Sequence, residues 1–268
     1  MEEFIQSRQN PRIKALSRLQ ERSGRRKFNK FAIEGLRELE RALEASVAVE
    51  ELYYCPELFK SAAHSAFIEA QKGRIPMCRL SEQAFERISN REGCDGLLGV
   101  AEQWKTSLSE IRLPEGRAPL VLVADAIEKP GNLGALLRSA DACGTDAVIL
   151  SNPVSDIFNP SVIRASQGAV FSVRIAEAEP SEIFAWLKAN GIASYAAALT
   201  AADFPWKYDL SRPSAVFVGS EKDGLPEDVV LKCDSAIKLP MLGRADSLNV
   251  NIAASVILYQ AVFQRMGR

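Results

Sequence analysis

The 268-residue sequence holds a single histidine, His64, and that scarcity excludes more chemistry than any other feature of its composition. Nucleophilic triads with a histidine base and metal sites built on histidine ligands have almost nothing to work with. His64 itself falls inside a helical pattern and reads as structural or surface. The five cysteines (Cys55, Cys78, Cys94, Cys143, Cys233) include no Cys-x-x-Cys pair, so reduced thiols of a cytoplasmic protein are expected. No Gly-x-Gly-x-x-Gly follows a strand, and no Gly-x-x-x-x-Gly-Lys-Ser/Thr is present. Those absences disfavour a dinucleotide-dependent oxidoreductase, the usual glycine-rich methyltransferase loop and a P-loop phosphotransferase. No apolar run reaches the roughly 18 residues of a membrane span. The opening "MEEFIQSRQNPRIKAL" carries early acids and does not read as a targeting segment. Neither a membrane nor a metal is expected as a partner.

What is present is a globular composition, 47% hydrophobic and 25% charged, over a length that suits two domains. The net charge of −1 conceals an asymmetry. Residues 1–30 carry nine Lys or Arg, among them Arg25, Arg26 and Lys27, against three Glu. A basic N-terminal arm over 1–30 suits the phosphate backbone of a nucleic acid, and a solvated helical face is the plainer alternative.

After the arm, "KFAIEG", "VEELYYC", "IPMC" and "GLLGVAEQW" read as strands, with "LRELERALEA", "ELFKSAAHSAFIEAQKG" and "SEQAFERIS" as helices between them. They make a small α/β domain over 28–104, followed by a Pro- and Gly-bearing linker at 105–118. Over 119–268 the strands are more apolar: "LVLVAD", "DAVILS", "AVFSVRI", "ASYAAAL", "SAVFVGS" and "AIKLP". Helical stretches separate most of them, which predicts an α/β domain with a mainly parallel sheet covered by helices on both faces. Ligands of such sheets bind at the carboxyl ends of the strands.

Three segments place polar, glycine-bearing turns there. "VLVADAIEKPGNLGALLRSADACG" supplies Asn132 and Arg138, "AVFVGSEKDGLP" supplies Gly219 and Glu221, and "LPMLGRADSLNVNIAASVILYQ" supplies Ser247 and Asn249 at a helix start. Each alone has a plain reading: a Gly turn is a turn, Ser or Asn at a helix start is a cap, and an arginine is a surface ion pair. Together, in this order, they resemble the three motifs of the SpoU/TrmH family of RNA ribose 2′-O-methyltransferases. "FAIEGLRELERALEA" is similar to the family's small substrate-binding domain, whose fold is shared with a ribosomal protein. "IRASQGAVFSV" is similar to the thiostrepton-resistance branch, which acts on ribosomal RNA.

The resemblance implies a deep trefoil knot in the C-terminal domain, S-adenosyl-L-methionine as methyl donor, and an active site at the interface of a homodimer. It assigns donor binding to Gly219, Leu239, Met241, Gly243 and Leu248. It assigns the reacting centre to Arg138, with Asn132, Glu221, Ser247 and Asn249 around it. Asn132 is expected to hold Arg138 or the ribose. Asn251 departs from the family's usual Ser and touches only local hydrogen bonding. RNA contacts are expected from Arg25, Arg26 and Lys27, and from Arg164 as a further phosphate contact. The substrate implied is RNA, ribosomal in preference to transfer RNA. The rival from another class is a non-catalytic RNA-binding or ribosome-assembly protein of the same fold.

Overall fold

The computed structural model describes residues 3–90 and 93–267. The chain divides into two units, Met1–Trp104 with Asp156–Ser172, and Lys105–Ser155 with Val173–Arg268.

The first unit contains β1 (Glu3–Ile5), α1 (Pro11–Ser17), α2 (Arg22–Phe28), β2 (Lys30–Glu34), α3 (Leu36–Glu44), β3 (Val49–Tyr54), α4 (Ala62–Gln71), β4 (Met77–Leu80), α5 (Glu82–Ile88) and β5 (Leu97–Glu102). Its sheet runs in the order β1-β4-β3-β5-β2, with β5 antiparallel to both its neighbours. The expected basic arm is part of this fold. Asn10 caps α1 by accepting from the Arg12 N–H at 2.8 Å, and Pro11 occupies a first-turn position that needs no donor. Ile13, Leu16 and Leu19 then enter one core with Leu80, Phe85, Ile88 and Leu98. Burial of those three apolar side chains holds the segment, a pull that counting its charges does not register. His64 is buried as well, its Nδ1 3.1 Å from the Ser61 hydroxyl and its ring stacked on Phe59.

Asp156–Ser172 joins this unit through aromatic packing: Phe158 lies 5.0 Å from Phe31 and 4.6 Å from Trp104, centroid to centroid. Within it "AVFSVRI" departs from the expected strand. Ala169–Phe171 is a 3₁₀ turn, and extended structure begins only at Ile175. The Ser166 hydroxyl accepts from the Val170 N–H, and Gly168 sits at φ +82°, so the apolar run is a buried turn. Hydrophobicity alone does not separate the two.

The second unit contains β6 (Leu120–Asp125), α6 (Pro130–Ala142) and β7 (Ala147–Ser151). After the excursion that includes α7 (Pro160–Ala165) it resumes with β8 (Ile175–Ala178), α8 (Pro180–Ala189), β9 (Ala193–Ala197), β10 (Ser214–Val218), α9 (Glu227–Lys232), β11 (Ser235–Ile237) and α10 (Val250–Met266). Its six strands run β11-β9-β10-β6-β7-β8, every pairing parallel. Val121, Val123, Ala215 and Phe217 face a core shared with Ile183 and Leu187 of α8 and Val229 of α9. The alternate residues Leu120, Leu122 and Ala124 are equally buried on the other face, where α10 packs on α6 and β10. A strand buried on both faces has no polar alternation to keep, which is why "LVLVAD" is continuously apolar. The expected linker is also packed here: Ile111 joins the core, and Thr106 C=O accepts from the Glu177 N–H at 2.7 Å.

Candidate active site

Chain order reverses at β6, whose neighbours are β7 on one side and β10 on the other. The loops after β6 and β10 therefore leave side by side at the carboxyl edge, where a crevice opens in sheets of this kind. The segment between β11 and α10 joins them.

These three stretches meet at Glu221. Lys129, just before α6, ion-pairs with its carboxylate at 2.6 Å, the Asn132 amide donates to it, and the Asn249 amide donates to it at 3.0 Å. Asn249 also reaches the Asn132 Oδ1 at 3.3 Å. The Lys129 ammonium, helped by the two amides, holds the Glu221 carboxyl below its ordinary range, and Glu221 in turn raises Lys129. Asn249 is also the N-cap of α10, because its Oδ1 accepts from the Asn251 N–H at 3.0 Å. Ser247 is exposed and does not cap. A little further along, the Ser139 hydroxyl donates to Asn251 Oδ1 at 2.8 Å and receives the Ser255 hydroxyl at 2.8 Å, tying α6 to α10. The amide of Asn251 thus reaches across to Ser139 from the position where the resemblance leads one to expect Ser.

The loop after β10 owes its shape to Gly219. A Cβ there would lie 2.1 Å from the carbonyl carbon and oxygen of Gly224 and 2.3 Å from the Leu225 nitrogen. Ser220 and Gly224 exchange two backbone hydrogen bonds of 3.1 Å across the same turn. The segment that follows β11 is the opposite case. Its last backbone bond before α10 is from the Lys238 N–H to Asp203, and among the described residues 239–248 make no backbone–backbone hydrogen bond. Leu239, Met241, Gly243 and Leu248 thus sit in a run of ten peptides whose donors and acceptors have no backbone partner. These residues are exposed or half-exposed, so water satisfies such groups and a ligand can take its place.

Arg138 stands on α6, exposed, with neither a hydrogen bond nor an ion pair to any described residue. Asn132 therefore does not hold it, which leaves the ribose as the other expected partner; six residues of helix rotate the two side chains about 120° apart. Of the expected RNA contacts, Arg26, Lys27 and Arg164 are exposed. Arg25 is not: only 2% exposed, its guanidinium donates to Asp156 at 2.6 Å and to the Leu19 and Gln20 carbonyls. It is a structural ion pair and cannot face RNA. Lys129 escaped the sequence reading, although "EKPGN" sets it three residues before Asn132. Among the described residues no group of His, Cys, Asp or Glu is arranged to hold a metal, and no helix is long and apolar enough to cross a membrane.

Residues 119–259 match the SpoU rRNA Methylase family, and residues 10–99 match the MRM3-like substrate binding domain. The chain is 31% identical over 255 residues to the 23S rRNA (guanosine(2553)-2′-O)-methyltransferase RlmP of Bacillus subtilis, covering 95% of this chain and 97% of that one. A solved RNA 2′-O ribose methyltransferase superimposes with a TM-score of 0.86 at 37% identity, covering 98% of this chain and 99% of that one. The SpoU methyltransferase AviRb of Streptomyces viridochromogenes, solved with AdoMet, gives 0.88 at 26% identity, covering 96% and 99%. With three motif loops joined at Glu221 and a match across more than half of its length, the chain belongs to the SpoU rRNA methylase family.

Proposed function

We propose that the protein transfers a methyl group from S-adenosyl-L-methionine to a ribose 2′-hydroxyl of RNA, with ribosomal RNA as the substrate, and works as a cytoplasmic homodimer. The observation that carries this reading is the junction of Asn132, Glu221 and Asn249, which joins three motif loops within the segment that matches the SpoU rRNA Methylase family. The residues present fit the donor. Gly219 allows a close approach of backbone, and the peptides of Leu239, Met241, Gly243 and Leu248 offer the hydrogen bonds that an adenosine needs. The deep trefoil knot belongs to the same reading.

S-adenosyl-L-methionine supplies a methyl group already activated by its sulfonium charge, so the chain's residues need only position the acceptor and stabilise charge. Glu221, fixed by Lys129, orders Asn132 and Asn249, and Ser247 and Asn249 present polar groups to the reacting ribose. Arg138, unpartnered among the described residues, clamps the adjacent phosphate and stabilises the oxyanion that develops on the 2′-oxygen. A guanidinium keeps its proton and is no base; the hydroxyl proton passes to phosphate or water. Because Arg138 makes no hydrogen bond or ion pair with the Glu221 cluster of its own chain, a site completed across a dimer fits. Ile252, Val256, Tyr259, Phe263 and Met266 form an exposed apolar stripe along α10 for that contact, with Phe263 64% exposed.

The test is to map ribose methylation in ribosomal and transfer RNA from cells with and without the protein. A single ribosomal site that disappears and is restored by the purified protein with S-adenosyl-L-methionine is the expected result. Unchanged maps, or a change confined to transfer RNA, would overturn the substrate assignment.

A further inference from the structure

A cleft of about 370 Å³ lies in the first unit, between the end of β2, the turn after α5 and α7; Glu34, Asn90, Pro160, Ser161, Arg164 and Gln167 line it. That volume falls within the ~300–1,000 Å³ of small-ligand sites. None of the reacting residues belongs to it.

Its wall is built from fixed polar groups. Glu34, 9% exposed, accepts from the Ser89 hydroxyl at 2.5 Å and the Asn90 N–H at 2.9 Å, which fixes the turn carrying Asn90. The Asn90 amide donates to the Ser161 hydroxyl at 3.1 Å and leaves its Oδ1 as an acceptor. Asn159 caps α7 by accepting from the Ser161 N–H at 2.9 Å. Arg164 and Gln167 make no side-chain hydrogen bond or ion pair to a described residue. Gln167 adopts φ +52°, a left-handed conformation that glycine holds at lower cost, and Gly168 follows it at φ +82°. Glutamine at that strained position puts an amide in the lining of the cleft.

We propose, on the basis of the RNA-methylating reading above, that this cleft receives one unpaired guanine of the RNA substrate, swung out of its stack. Sequence-specific readers of RNA take such splayed bases by their edges. A guanidinium matches the O6/N7 acceptor pair of guanine, and the neutral amides serve the remaining edge. The buried Glu34 carboxylate in the wall favours the N1–H and N2–H donors of guanine. The cleft thereby selects the sequence that is methylated, while the reacting centre remains indifferent to the base.

The experiment measures the affinity of the full-length protein for an RNA fragment spanning the mapped ribose, by fluorescence anisotropy at several salt concentrations. Wild type is compared with Gln167→Gly, which relieves backbone strain while removing the amide, and with Arg164→Ala. The expected result is one guanine whose replacement by an abasic ribose weakens wild type at least about fivefold and Arg164→Ala hardly at all. Gln167→Gly should lose affinity for the intact fragment without losing thermal stability, and the salt slope should hold for both variants. Equal weakening of every fragment with a salt slope lower by about 0.7 marks a phosphate contact and overturns the proposal. So does the lack of any guanine coupled to Arg164. If wild type methylates the fragment in either case, only the cleft assignment falls; if it neither binds S-adenosyl-L-methionine nor methylates RNA, the function falls and takes the cleft with it.

Discussion

Replacing Gly219 by alanine perturbs the loop after β10 at a point where its cost can be read from distances. The added Cβ would begin 2.1 Å from the Gly224 carbonyl and must reach the 3.4 Å of an ordinary contact, so backbone must yield by about 1.3 Å. Both neighbours are main chain, and no rotamer change relieves the clash. The loop also carries Glu221, whose bond to Asn249 is 3.0 Å long and does not survive a shift of that size. Overpacking of this kind costs about 1–3 kcal/mol. At about 2–4 °C per kcal/mol for a domain of this size, the melting temperature should fall by roughly 2–12 °C. A displacement near 1 Å costs about a hundredfold in a positioned reaction, so donor affinity and single-turnover methylation should fall on that scale. Isothermal titration with S-adenosyl-L-methionine, differential scanning fluorimetry and quenched-flow methylation measure the three effects. Gly131→Ala is the stability control, because nothing lies within 4 Å of its Cβ position and an alanine inside α6 should be neutral or stabilising by up to about 1 kcal/mol. Donor affinity within about threefold of wild type for Gly219→Ala would refute the assignment of this backbone to the donor pocket.

Arg138→Ala should leave melting and donor affinity unchanged, since the side chain is exposed and unpartnered among the described residues, while methyl transfer falls at least about a hundredfold; Arg138→Lys should rescue poorly in the same single-turnover assay. Glu221 has its pKa lowered below the ordinary 4.5, so its hold on Lys129, Asn132 and Asn249 is present above that value and lost as pH falls through the shifted one. Donor affinity should accordingly be flat from pH 7 to 5 and drop only below about 4.5, and Glu221→Gln should abolish the drop. Phe263→Glu on α10 should convert a dimer to a monomer in sedimentation equilibrium. Because residues 3–30 are folded, the arm is tested by Arg26→Ala with Lys27→Ala rather than by deletion. RNA affinity should then fall, with a salt slope lower by about 0.7 for each phosphate no longer neutralised, whereas Arg25→Ala should lower the melting temperature.

The sequence by itself located most strands of the second unit, but it ran that domain unbroken over 119–268, whereas Asp156–Ser172 belongs to the first unit. Five of its six strands read as apolar runs, Ile175–Ala178 being the exception, and Gly219, Asn132, Glu221 and Asn249 fall just past strand ends or at helix starts, where the resemblance to the SpoU/TrmH motifs singles them out. Such features are local, set by the burial period and by the turn and cap chemistry of a few adjacent residues. What only the tertiary structure decided depends on partners far along the chain. Arg25 looks like any other basic residue until Asp156, 131 positions away, accepts its guanidinium. "AVFSV" carries the hydrophobicity of a strand, yet it folds as a turn because Phe158 and Phe171 pack on Phe31 and Trp104 in the first unit. Lys129 acquires meaning only when Glu221 arrives beside it, and the cleft at Asn90 and Arg164 exists only because two distant segments share one unit. Charge and hydrophobicity fix what a residue can do; the long-range partner that satisfies it fixes which of those things it does.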